Sequence, residues 1–164
     1  MIEARRRQCS FAEGLIREAV EDLWEDWMWY VDTVLDDESL LSTVYEALAR
    51  RRPKSRTHGR LGTPAEVVLR MLLLKHLRNW SFDELEREVR SNLLYRQFTR
   101  VGGEKVPDAK TLGRLARTLG PEVIEKIHER VVAIALEQKV IRGRKLRVDT
   151  TVDVATLCYT SLSL

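Results

Sequence analysis

Apolar residues recur at steps of three and four along most of this chain, and only one short stretch alternates. Steps of three and four gather side chains on one side of a helix, whereas a half-buried strand needs a step of two. Eight glycines and four prolines in 164 residues leave few breakers to interrupt the helices. The fold expected is therefore mostly α, with one β-strand near residue 150.

A first helix is expected in one piece over residues 11–35, with Leu15, Ala19, Leu23, Trp27 and Tyr30 as its inward stripe. Trp24, Trp27 and Trp29 suit either this protein's own core or the face of a partner, because an indole brings much apolar area to both. A second helix is expected over residues 38–51, with Leu41, Val44, Tyr45 and Leu48 on one face. Thr63-Pro64-Ala65-Glu66 reads as a helix start, with threonine capping, proline at the first helical position and glutamate reaching back to the cap amide. The run from Val67 to Leu77 is apolar on most of its circumference, which marks a buried central helix. Ser81-Phe82-Asp83-Glu84 is a capping box that opens a helix to about Arg90, and a short helix from Leu93 to Phe98 follows. Beyond the loop 101–107, Asp108 caps a helix that ends at Leu119 with Gly120 as its stop. Another helix runs from Pro121 to about Lys139, with Ile124, Ile127, Val131 and Ile134 inward. Lys145 to Val152 alternates and is the expected strand, which cannot form a sheet by itself.

Charge divides the chain differently. Residues 1–49 hold four basic and twelve acidic side chains, net −8, which leaves net +11 for residues 50–164 although the whole is only +3. A block asymmetry of this kind points to a polyanionic partner for the basic part. The organisation expected is an acidic helical region over 1–49, a basic linker over 50–62, a helical DNA-binding domain over 63–141 and a strand-bearing segment over 142–164. Six cations and no anion stand between residues 50 and 60, and Arg50, Arg51, Arg52, Lys54 and Arg56 among them suit a soluble hinge or a track along phosphates. In the helix after Asp108, Leu112, Leu115, Ala116 and Leu119 share one face while Lys110, Arg114 and Arg117 share another. One side for a core and one cationic side is what a DNA groove reader requires, although ordinary surface helices share the pattern.

Other classes fall away. The longest apolar stretch, Val67–Leu74, is interrupted by Arg70 and is far shorter than the roughly 20 residues of a membrane span. The first 30 residues lack the apolar centre of a secretory signal, so a cytoplasmic protein without a membrane partner is expected. Cys9 and Cys158 lie at opposite ends without Cys or His at ligand spacing, and read as reduced thiols. His58, His76 and His128 have no visible nucleophile or metal partner.

A resemblance sharpens this reading. The segments Thr63–Arg70, Leu74–Ser81, Leu85–Arg90, Asn92–Arg100, Val106–Leu112 and Gly143–Val152 together resemble the amino-terminal part of bacterial insertion-sequence transposases. The resemblance implies a helical domain, helix-turn-helix-like, that binds double-stranded DNA at terminal inverted repeats. It further implies a ribonuclease-H-like domain that cuts and joins DNA with an Asp, Asp, Glu triad and Mg²⁺. It places the first acid and metal ligand at Asp149, within Arg147-Val148-Asp149-Thr150-Thr151. Arg87, Arg90, Arg96 and Arg100 would then supply backbone contacts that position the duplex, although Arg87 and Arg90 equally suit pairing with Glu84 and Glu86. Relatives continue past this strand through a Tyr-Pro-Thr-Asp-Ser-like run, where this chain reads Asp153-Val154-Ala155-Thr156 and stops at Leu164. The expectation is a truncated transposase that needs no cofactor by itself and does not cleave DNA. It would bind DNA and pair with itself or with full-length transposase. The alternative is a helical interaction module that modulates full-length transposase without DNA specificity of its own.

Overall fold

The computed structural model describes residues 1–5, 11–50 and 61–137, and helices account for about three quarters of them. The strand expected at Lys145–Val152, with Asp149, lies outside the described residues. So do Cys9, Cys158 and His58.

The front of the chain departs from the expected single helix. Helix α1 (Phe11–Val20) gives way to a 3-10 turn (Glu21–Leu23), and α2 (Asp26–Leu35) starts afresh. Trp24 and Glu25 adopt extended backbone conformations between them, which no continuous helix permits. The inward stripe is also displaced. Val20, Met28 and Leu35 are buried, while Leu15, Leu23 and Tyr30 are exposed. The indoles explain the displacement: Trp24 and Trp27 set their rings against the edge of Phe98, with centroids 6.1 and 5.4 Å apart, and that packing fixes the rotation of α2.

Asp37 starts α3 (Glu38–Arg50) by accepting the N–H groups of Ser39 and Leu40, both at 3.0 Å. Leu40, Leu41, Val44, Ala47 and Leu48 face the core. Helix α4 (Ala65–Leu77) is the buried centre, as its composition demands, with Val67, Val68, Leu69, Met71 and Leu74 all covered. Its start differs from the expected box. Pro64 sits at the N-cap without a side-chain cap, and the N–H groups of Ala65 and Glu66 donate instead to the carbonyls of Glu3 and Ala4, at 2.9 and 3.0 Å. The first residues of the chain thus satisfy the donors that a helix start leaves open, and the Glu66 carboxylate turns towards Arg70, 3.1 Å away.

Helix α5 (Phe82–Ser91) carries the complete capping box, Ser81 with Glu84. Asn92 caps α6 (Leu93–Phe98) through the N–H of Leu94. Helix α7 (Ala109–Glu137) contains both expected helices, joined with no linker at Gly120. Gly120 has φ 70 and ψ 170, a conformation that side-chain-bearing residues avoid, and Pro121 follows it. The chain changes direction there without leaving a gap between the halves 109–119 and 121–137.

One apolar cluster runs through Met28, Leu35, Leu40, Val44, Val68, Met71, Leu85, Phe98, Leu112 and Ile134. Helix α3 of the acidic front packs on both α7 and α4, and α1 packs on α6. The boundary near residue 50 is therefore a boundary of charge and not of core. Ion pairs cross it. Arg70, fully buried, donates to Asp36 at 2.9 Å and to Glu66 at 3.1 Å and is paired with Asp32. Arg100 holds both oxygens of Asp32 at 2.9 Å, Arg130 pairs with Asp37 at 2.7 Å, and Arg78 pairs with Glu25. The Arg130 guanidinium holds the Asp37 carboxyl below its ordinary range, against the opposing effect of burial. Four of the front's twelve acidic side chains, Glu25, Asp32, Asp36 and Asp37, are thus counter-charges of arginines in the body.

Candidate nucleic-acid interface

The cationic face begins at a firmly fixed helix start. The Asp108 carboxylate accepts the backbone N–H of Thr111 at 2.8 Å and the Thr111 hydroxyl at 2.9 Å, and these two bonds, the backbone one foremost, hold its pKa below the ordinary value. Glu86 of α5 accepts the N–H of Ala109 at 2.8 Å, so a neighbouring helix clamps the same end. Leu112 and Leu119 are buried against the core. With that side anchored, Lys110, Arg114 and Arg117 all lie exposed on the outside of the first half of α7. Arg114 donates to the Thr111 hydroxyl at 3.0 Å, which holds its head close to the helix start.

At the other end of this half, Arg50 and residues 118–123 line one open groove of about 350 Å³. The groove brings the last residue of α3 beside the Gly120 bend. Arg51, Arg52, Lys54 and Arg56 lie outside the described residues.

The remaining cations divide by their partners. Arg87 and Arg90 are 71% and 67% exposed, and their contacts are Glu88 at 3.2 Å and Glu86 at 3.3 Å, so Glu84 stays with its cap. Exposed pairs of this kind contribute about 0 to 1 kcal/mol and exchange readily for a phosphate. Arg96 is spent inside the molecule, donating to the carbonyls of Gly102 at 2.7 Å and Glu104 at 2.6 Å and so fastening the loop 101–107. Arg100 is likewise engaged, with Asp32 and Glu66. It adopts φ 57 just after α6, and this left-handed turn directs its side chain to α2 and not outward. The four backbone-contacting arginines that the resemblance implies thus separate into two on the surface and two that hold the fold.

Sequence reasoning passed over Arg70, whose only signal was a cation within the most apolar helix, four residues after Glu66. It also passed over a cleft lined by Arg17, Trp24, Trp29, Asp32, Gln97 and Arg100. Among the described residues no group of three or more His, Cys, Asp or Glu side chains converges to hold a metal. Asp149, the metal ligand that the resemblance implies, is outside them. His128 is half-buried, and its Nε2 has no hydrogen-bond partner among the described residues. No described helix is long and apolar enough to cross a membrane.

A family model for a transposase domain, DUF772, matches residues 20–118, more than half of the chain. The chain belongs to this transposase domain family. The matched span begins at the end of α1 and runs through the acidic front, the basic linker and the Lys110–Arg117 face, so the transposase domain includes both sides of the charge boundary. No curated protein and no solved structure matches the chain.

Proposed function

We propose that this transposase domain binds double-stranded DNA at the terminal inverted repeats of an insertion sequence, with the first half of α7 as the groove-facing helix. The observation that carries the reading is the division of that half-helix: Leu112 and Leu119 inward, Lys110, Arg114 and Arg117 outward, on a start locked by Asp108 and Glu86. Arg50 and the cations after it extend the track from the Gly120 end, and Arg87 and Arg90 add backbone contacts. In this reading α5, α6 and α7 form the helix-turn-helix-like unit, and the protein works in the cytoplasm.

The resemblance of Arg147-Val148-Asp149-Thr150-Thr151 to the first motif of an Asp, Asp, Glu transposase supports assigning Asp149 as the first acid of that triad. Mg²⁺ in the complete enzyme would supply electrostatic stabilisation at the scissile phosphate.

The test is a binding titration with inverted-repeat duplex at fixed salt. Arg114→Ala should weaken binding by more than Arg5→Ala, because Arg5 is engaged with Glu38 at 3.1 Å. Removing one cation from a phosphate lowers the salt slope by about 0.9. Equal affinities and equal slopes for the two variants would overturn the assignment. A second reading has its own observation: Ile124 on the second half of α7 is 51% exposed, which suits pairing with a second copy or with full-length transposase. Light scattering in high salt, where DNA binding fades and apolar pairing persists, separates the two.

A further inference from the structure

We propose that the cleft between α1, α2 and α6 holds an unpaired nucleobase of a single DNA strand, at a site separate from the duplex-facing side of α7. The platform is Trp29. Its indole is 48% exposed and rests against Trp24 with centroids 4.8 Å apart and planes tilted by 41°, while Trp24 is braced by the edge of Phe98. A base has a π-face whatever its identity, so an indole held in this way stacks on any of the four. The floor is Gln97. It is 4% exposed and lines the cleft, and a side-chain amide carries both a donor and an acceptor of the kind that a base edge such as that of adenine takes up.

Charge selects the form of the ligand. Arg17, Arg100 and Asp32 line the cleft; Arg100 is held by Asp32 and Glu66, which leaves Arg17 as the lining cation that no ion pair among the described residues engages. Glu18, Asp22 and Asp26 are exposed on α1, the following turn and α2, the stretch of chain that also carries Arg17 and Trp29. Those acids repel the dense phosphates of a duplex but tolerate a single strand, which brings one phosphate to Arg17. Size agrees. The cleft has about 40 Å³ of free space, room for a few waters and not for a whole base. A base lying across Trp29 would place only its polar edge inside and displace those waters with hydrogen-bonding atoms. The site does not depend on the Lys110–Arg117 face, so either assignment can fail without the other.

The experiment uses the full chain with fluorescently labelled short oligodeoxyadenylate, the inverted-repeat duplex and free dAMP, each at one fixed salt concentration. Wild type should bind the oligonucleotide with quenching of tryptophan emission. Trp29→Ala, a change at a half-exposed position, should weaken that binding about tenfold, within the range measured for base stacking, and leave duplex affinity within about twofold. The triple variant Lys110→Ala, Arg114→Ala, Arg117→Ala should do the reverse, and thermal melts of both variants establish that they fold. Unchanged oligonucleotide binding by Trp29→Ala overturns the proposal. So does an oligonucleotide affinity that falls only with the α7 triple variant, since the strand would then lie on the basic face. Free dAMP binding as tightly as the oligonucleotide overturns the strand form, because the site would then belong to soluble nucleotides. Absence of duplex binding in wild type, with quenching by the oligonucleotide retained, supports this site while removing the groove assignment.

Discussion

Replacing Arg70 with methionine keeps most of the side-chain length and apolar stem but removes the guanidinium on which two halves of the chain converge. Arg70 is fully buried and meets Asp32, Asp36 and Glu66, whose side chains are 16%, 49% and 12% exposed. Asp36 is half in water, so its contact behaves as a surface pair and contributes about 0 to 1 kcal/mol. Asp32 and Glu66 are the costly ones, because removing one member of a buried pair leaves charge without compensation, at about 3 to 5 kcal/mol. Arg100 remains 2.9 Å from Asp32 and 3.9 Å from Glu66 and relieves part of this. The expected loss is therefore at the low end, about 3 kcal/mol, which in a chain of this size lowers the melting temperature by about 6 to 12 °C. Urea unfolding followed by tryptophan emission and by far-ultraviolet circular dichroism measures it. The two probes should share one transition, since Trp24 and Trp27 belong to the same core as α4 and α7. Adding Asp32→Asn to Arg70→Met should recover a measurable part of the loss, because the stranded anion is then neutral. A variant as stable as wild type, or separate transitions for the two probes, would refute the account of a charge network joining front and body.

Gly120→Ala forces a side chain into φ 70 and should cost about 1 to 3 kcal/mol, whereas Gly14→Ala, inside α1 with nothing within 4 Å of the added carbon, should raise stability by up to about 1 kcal/mol; thermal melts compare them. The Asp37 carboxyl is held below its ordinary value by Arg130, so the stability it contributes is present above about pH 4 and is lost as the pH falls through its lowered folded value. Asp37→Asn should accordingly flatten the acid limb of a plot of stability against pH, and an unchanged limb would count against the pair. Ser81→Ala removes one arm of the capping box and should cost about 1 kcal/mol, read from the urea midpoint.

Much of the molecule was legible where the physics is local. The box Ser81-Phe82-Asp83-Glu84, the short helix Leu93–Phe98, the Asp108 cap and the Gly120 stop all depend on residues within four positions of one another, and all stand in the structure as read. What was not legible depends on distant partners. The Thr63 cap is absent because the carbonyls of Glu3 and Ala4, some sixty residues earlier, take its place. The stripe Leu15, Ala19, Leu23 points outward because the expected single helix is broken at Trp24 and Glu25, and Tyr30 joins it because α2 turns its indoles to Phe98. Periodicity reveals that a helix has an apolar side but not which of several apolar residues the core selects. Arg100 looked like Arg87 from its type and spacing, and only the left-handed turn after α6 separates the arginine that faces Asp32 from the one that faces water.

The long reach of the ion pairs also sets an order of events. Arg100 lies 68 residues after Asp32, and Arg130 lies 93 residues after Asp37. At a synthesis rate of about 5 to 20 residues per second, the first half of the network waits about 5 to 19 seconds for Arg130 to be made. Asp32, Asp36 and Glu25 gain their partners sooner, as Arg70, Arg78 and Arg100 are made, so Asp37 is the carboxylate that waits longest. Until its arginines are made, the front therefore carries more uncompensated negative charge than it does in the finished protein. The same carboxylates that join front to body in the finished protein are, during synthesis, charges awaiting partners.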